Sequence, residues 1–138
     1  MEIKKVGQIK TIFFTVPIYD LEVLIMVGAK TKTDVMRVLK KNRVNAEVTK
    51  IWDESEDMDL VLKSSAGSIV DDNVLAIIYV FKEWNNTNRD HEVLVHELSH
   101  MMDSISKHKN LKHDIEGRAY LQEYLYKSIR IGMNAKVR

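Results

Sequence analysis

"NRDHEVLVHELSHMMDSISK", residues 88–107, is the stretch on which the fold and the chemistry both turn. Leu94, Leu98, Met101, Met102 and Ile105 recur at helical spacing and share one arc about 100° wide, the apolar stripe of a helix laid on a core. His96, His100 and Asp103 fall on roughly the opposite side, with Glu97 near the boundary. One helix therefore carries a greasy face and a chemical face. Either the run Thr87-Asn88-Arg89-Asp90 or Asn88 itself caps its start.

Residues 96–100 read His-Glu-Leu-Ser-His. Positions i and i+4 stand one above the other on a helix, so two imidazoles can converge on one ion while the backbone holds both. Zinc accepts neutral imidazole readily, and a catalytic zinc site uses three protein ligands and keeps a fourth position for water. The residue after the first histidine lies about 100° further round, beside the ion rather than on it. Glu97 is thus placed to take a proton from a water molecule acidified by the metal. Scattered at random, the five histidines and ten glutamates would make this pattern in about one such chain in a hundred. The helical context is what separates it from chance. Ser99 forms no triad with His100, because adjacent helix positions diverge.

Residues 114–131 read as a second helix, joined to the first by a short polar segment at 109–113. On it Glu116, Tyr120, Glu123 and Lys127 recur as one stripe. A returning helix can bring a carboxylate back to the histidines, and Glu116 is the preferred third ligand, with Glu123 next and His113 or Asp114 behind. Gly117 and Ala119 are small enough to let the two helices approach closely. Tyr120, one turn from Glu116, is the candidate oxyanion stabiliser, set against a plain packing role between the helices. Asp103 reads either as a partner for a histidine Nδ1 or as a surface acid. His91 and His108 read as structural or solvated. The basic tail "KSIRIGMNAKVR" (127–138) reads as a frayed helix end, since no aromatics interleave with its charges.

Upstream the pattern changes. "TIFFTVPIY" (11–19) and "LEVLIMVG" (21–28) are rich in branched and aromatic residues and predict strands, with Pro17 favouring an edge or a bend. "TKTDVMRVLKKN" (31–42) predicts a helix capped by Thr31 or Thr33, with Val35, Val38 and Leu39 as its apolar stripe. Residues 44–52 suggest a further strand. "DESEDMD" (53–59) lacks the glycine and distal glutamate of a calcium loop and reads as a solvated loop. "SIVDDNVLAIIYVF" (68–81) predicts a hairpin turning at Asp72-Asn73 into a strand at 74–81, apolar throughout and so covered on both faces. The expected fold is α+β: a small mixed or antiparallel sheet packed on the histidine helix and a following antiparallel helix.

Nothing marks a boundary within 1–138, so one domain is expected. Apolar residues make up 45% and charged residues 30%, a globular balance, and the formal charge of +1 selects neither nucleic acid nor anionic lipid as a partner. The absence of cysteine excludes disulfides and all thiolate chemistry. No signal-peptide pattern and no membrane-length apolar run is found, so the cytoplasm is the expected location.

With these residues in view, the pattern of HExxH followed by a glutamate on the next helix resembles the gluzincin group of zinc metallopeptidases. That resemblance implies Zn2+ held by His96, His100 and Glu116, with Glu97 as general base and a peptide or protein as substrate. The metzincin pattern is absent, because its glycine and third histidine would fall at Asp103 and Ser106. SprT-like proteases are less similar, since His113 is followed by Asp-Ile. More narrowly, "LVHELSHMMD…HDIEGRAYLQEYL" resembles small phage and prophage proteins with an HExxH helix after a hydrophobic hairpin, over about residues 66–131. A zincin-like fold further implies an edge strand just before the metal-binding helix, here within 74–81, that pairs with an extended substrate. The alternative is a non-catalytic zinc-binding module of phage origin that engages another protein.

Overall fold

The computed structural model describes residues 1–16, 19–41, 66–71, 76–111 and 113–137. In chain order they form β1 (Glu2–Val6), β2 (Ile9–Val16), β3 (Leu21–Val27), α1 (Lys32–Lys41), β4 (Ala66–Asp71), β5 (Ala76–Phe81), α2 (Asn88–His108) and α3 (Ile115–Asn134). The strand expected at 44–52, the acidic run at 53–59, Pro17 and the turn at Asp72-Asn73 lie outside the described residues. The architecture is α+β, with one mixed sheet in the order β1-β2-β3-β5-β4. Neighbouring strands are antiparallel except β3 and β5, which run parallel.

Side-chain alternation sends every inner strand's residues to two cores. Ile12, Phe14, Leu21, Val23, Ile25, Ile77, Tyr79 and Phe81 pack beneath α2 and α3. Ile9, Leu24, Met26, Ile78 and Val80 pack beneath α1, which contributes Val35, Val38 and Leu39. Strand β5 is apolar along its length because helices cover both of its faces.

That coverage also corrects the expected edge. Residues 76–81 form an interior strand, hydrogen-bonded to β3 on one side and β4 on the other. Among the described residues the edge strand next to α2 is β4. At the other edge is β1, which no apolar pattern announced: of its five residues only Val6 is buried. Its register comes from a two-residue turn, with Val6 opposite Ile9 and Gly7 at a φ of 61°, the positive value a type II′ hairpin needs in its first position. Glu2, Lys4 and Lys5 then leave that edge charged, which discourages pairing with other strands.

The helices begin where their caps dictate. Thr31 Oγ1 accepts from the Asp34 N–H at the start of α1. Thr87 and Asp90 form a reciprocal capping box at the start of α2. Asp114 accepts from the Gly117 N–H at 2.8 Å to start α3. Leu121, Leu125, Ile129 and Met133 turn α3 onto the sheet. It comes close at Gly132, where an added Cβ would stand 2.6 Å from Ile12 Cγ2. Ile12 is fully buried and its Cγ2 methyl is fixed to a strand Cβ, so it cannot swing aside. Lys10 of β2 closes the far end of α3, donating to the carbonyl of Met133 at 2.9 Å and to that of Ala135.

Gly132→Ala should therefore destabilise the fold. Overpacking costs about 1–3 kcal/mol, against about 1 kcal/mol recovered from better helix propensity. Chemical denaturation should show a net loss near 1 kcal/mol; a gain would mean that α3 does not press on β2 at this point.

Candidate metal centre

The rotation of α2 is set by its apolar stripe. Leu94, Leu98, Met101 and Ile105 are buried against the sheet, with Met102 beside them. The hydroxyl of Tyr79, fully buried on β5, donates to the Glu97 carbonyl at 2.8 Å. With that side turned inward, His96 and His100 are left exposed on the opposite side and Glu97 half-buried at the boundary.

The two imidazoles meet as the i, i+4 spacing predicts. Their Nε2 atoms are 3.3 Å apart, with ring centroids at 4.9 Å and planes inclined by 74°. Two nitrogens bound to one tetrahedral zinc at about 2.0–2.1 Å each would be separated by about 3.3–3.4 Å. The separation matches that of two corners of a zinc tetrahedron, and it is also the distance of a hydrogen bond between the two rings. Burial pushes the Glu97 carboxyl above its ordinary range, and the field of His100 and His96 only partly opposes it. A carboxylate shifted this way is a better proton acceptor than one in open water.

The expected third ligand does not join them. Among the described residues no group of three His, Cys, Asp or Glu side chains is placed to hold a metal ion. Glu116, Glu123 and His113 therefore stand apart from the histidine pair. The reason lies in the rotation of α3. At about 100° per residue, the stripe Glu116, Tyr120, Glu123 and Lys127 is centred about 180° from Leu121, Leu125 and Ile129, and every member is exposed. Tyr120, 68% exposed, neither packs between the helices nor reaches inward.

The close approach expected at Gly117 and Ala119 is also absent. A Cβ at Gly117 would collide with Asp114, so this glycine serves the cap of its own helix. Ala119 lines an open groove of about 740 Å³ between α2 and α3, opposite Ser99, Met102 and Asp103. Asp103 pairs with Lys107 at 3.1 Å, with both side chains exposed, as a surface acid would. His91 is structural: its Nε2 lies 2.7 Å from Asn86 Oδ1 and its ring meets the Trp84 ring at 5.0 Å.

On the other side of the histidine pair, a cleft of about 250 Å³ separates α2 from the start of β4. It is lined by Ala66, Arg89, Glu92, Val93, His96 and Glu97. Arg89 precedes His96 by seven residues, two helical turns on the same face, so the spacing alone could have revealed it. The roles of Tyr79 and Ala66 had no signal in the sequence, because both depend on strand order. Comparison with protein-family models, curated proteins and solved structures returns no match to this chain. No helix among the described residues is long and apolar enough to cross a membrane.

Asp90 ties the start of α2 to the loop before it. Desolvation would raise its pKa, but N–H donation from Asn85 and Thr87 outweighs this and holds the carboxyl below its usual range. A depressed folded-state pKa contributes stability above the unfolded value, and that contribution is lost as pH falls through the folded one. Asp90→Asn should accordingly cost stability at pH 7, and the gap to the parent should narrow below about pH 4. Thermal melts across this range test it; a gap independent of pH would rule out the charge as the cause.

Proposed function

We propose that the chain is a zinc-dependent metallopeptidase of zincin-like fold, with His96 and His100 as metal ligands and Glu97 as general base. The observation that carries this reading is the 3.3 Å approach of two imidazole nitrogens beside a half-buried carboxylate. Bound there, zinc would supply Lewis-acid polarisation of an amide carbonyl and would make a water molecule acidic enough to attack it. Glu97 would take the proton of that water as its oxygen adds to the carbonyl carbon, and would then hand the proton to the amine nitrogen, after which the C–N bond breaks. Among the described residues β4 is the sheet edge beside α2, and an extended peptide adding there as a further strand is the binding mode this reading takes. The substrate is accordingly a peptide or an unfolded protein segment.

The resemblance to gluzincins assigns the third ligand to Glu116. The outward stripe of α3 argues against that residue, so the proposal rests on the two histidines. A competing reading, a zinc-binding interaction module without turnover, draws support from the missing third ligand among the described residues. Against it, a structural zinc site closes its coordination with four protein ligands, and such a site has no use for a carboxylate poised like Glu97.

Purified protein should contain about one zinc per chain, and His96→Ala should weaken binding at least about a hundredfold. Glu116→Gln should change zinc affinity less than about twofold; a large loss would restore it as a ligand. Glu97→Gln should retain zinc and lose about 10²-fold or more of peptide hydrolysis. Zinc absent from the parent protein, or hydrolysis unaffected in Glu97→Gln, would sink the proposal.

A further inference from the structure

We infer that Arg89 forms a carboxylate-binding subsite in the cleft beside the histidine pair. The inference deepens the peptidase reading and takes from it only that this cleft receives a peptide. Among the described residues, Arg89, Glu92, Val93, His96 and Glu97 of α2 and Ala66 of β4 line the cleft. Seven residues of α2 separate Arg89 from His96, a rise of about 10 Å at 1.5 Å per residue. An extended peptide covers that span with about three residues at 3.3–3.4 Å each. A ligand reacting at the histidine end therefore presents a group about two or three residues away to the guanidinium.

Among the described residues the guanidinium meets one partner, Glu92, which leaves N–H donors for a ligand. Its Nη1 stands 3.4 Å from Glu92 Oε2, long for a charge-assisted bond, which is usually about 2.7–2.9 Å. The two side chains are 78% and 66% exposed, so water screens their attraction. Arginine carries five N–H donors in a fixed fork that matches the two oxygens of a carboxylate. Glu92 thus leaves the fork unsaturated, and Glu92 and Glu97 both repel an anion that does not reach Arg89. A lysine there would supply charge without the paired donors. The carboxylate can come from a free peptide C-terminus or from an aspartate or glutamate side chain, and the chemistry of capture is the same.

The test uses the full chain stripped of metal by a chelator, so that it does not depend on turnover or on zinc. Three probes are titrated by NMR: N-acetyl-trialanine with a free C-terminus, the same peptide as its C-terminal amide, and N-acetyl-Ala-Glu-Ala amide. At least one of the two acidic probes should bind about tenfold more tightly than the neutral amide, with shifts at Arg89, Val93 and His96. Tight binding of the first acidic probe identifies a terminal carboxylate, and of the second a side chain. Arg89→Gln should abolish the preference and Arg89→Lys should restore part of it, while both variants keep the parent's melting temperature. Equal binding of all three probes, no binding at all, or a preference that survives Arg89→Gln would overturn the inference. Hydrolysis lost in Glu97→Gln with the carboxylate preference intact would separate the two assignments. So would a protein that shows the preference yet never cleaves a peptide.

Discussion

The burial of one face of α2 governs everything else in this molecule. Leu94, Leu98, Met101 and Ile105 go from water into contact with β2, β3 and β5, and each is worth about 1.5–3 kcal/mol for that transfer. Nothing on the other face competes at that scale, since exposed imidazoles lose little by staying in water. The helix is turned by its leucines and methionines, and the histidines point where that leaves them. The Tyr79 hydroxyl, donating to the Glu97 carbonyl, adds a directional bond to a packing arrangement that has none. Rotation of α2 by a single position, about 100°, would bury a histidine and expose a leucine.

The same logic acts on α3 with the opposite consequence for chemistry. Leu121, Leu125, Ile129 and Gly132 meet the sheet, and Gly132 lets the backbone come close enough to Ile12 to fix the contact. The stripe of Glu116, Tyr120 and Glu123 is thereby sent to solvent. Between the helices a groove remains, because Met102 and Ala119 do not fill the space. The histidine pair is consequently flanked by an open groove on one side and by the edge strand β4 with its cleft on the other. Glu97 lines the cleft, and its partial burial raises its pKa against the opposing field of His100 and His96.

Local patterns in the chain were enough for α1, α2, α3, the strands β2 and β3, and the antiparallel pair β4 and β5 expected as a hairpin over 68–81. Thr87 and Asp90 mark the start of α2 by chemistry that involves neighbours in sequence only. The convergence of His96 and His100 is legible for the same reason: four residues of one helix fix it. Strand β1 was not, since a charged edge strand has almost no apolar signal and its pairing is decided by the turn at Gly7. The edge that a zincin-like fold implies within 74–81 falls instead, among the described residues, on β4, because β5 pairs with β3 on one side and with its hairpin partner β4 on the other.

The linear chain by itself determined that two imidazoles and a carboxylate would share a helix with an apolar stripe opposite. That follows from the 3.6-residue period and requires no knowledge of distant contacts. Only the tertiary structure decided which acids stay away from the pair and which strand forms the rim of the cleft that Arg89 and His96 line. Those outcomes depend on how each helix rotates about its own axis and on the order of strands in the sheet. Both are set by the summed burial of residues far apart in the chain, and no local spacing encodes that sum.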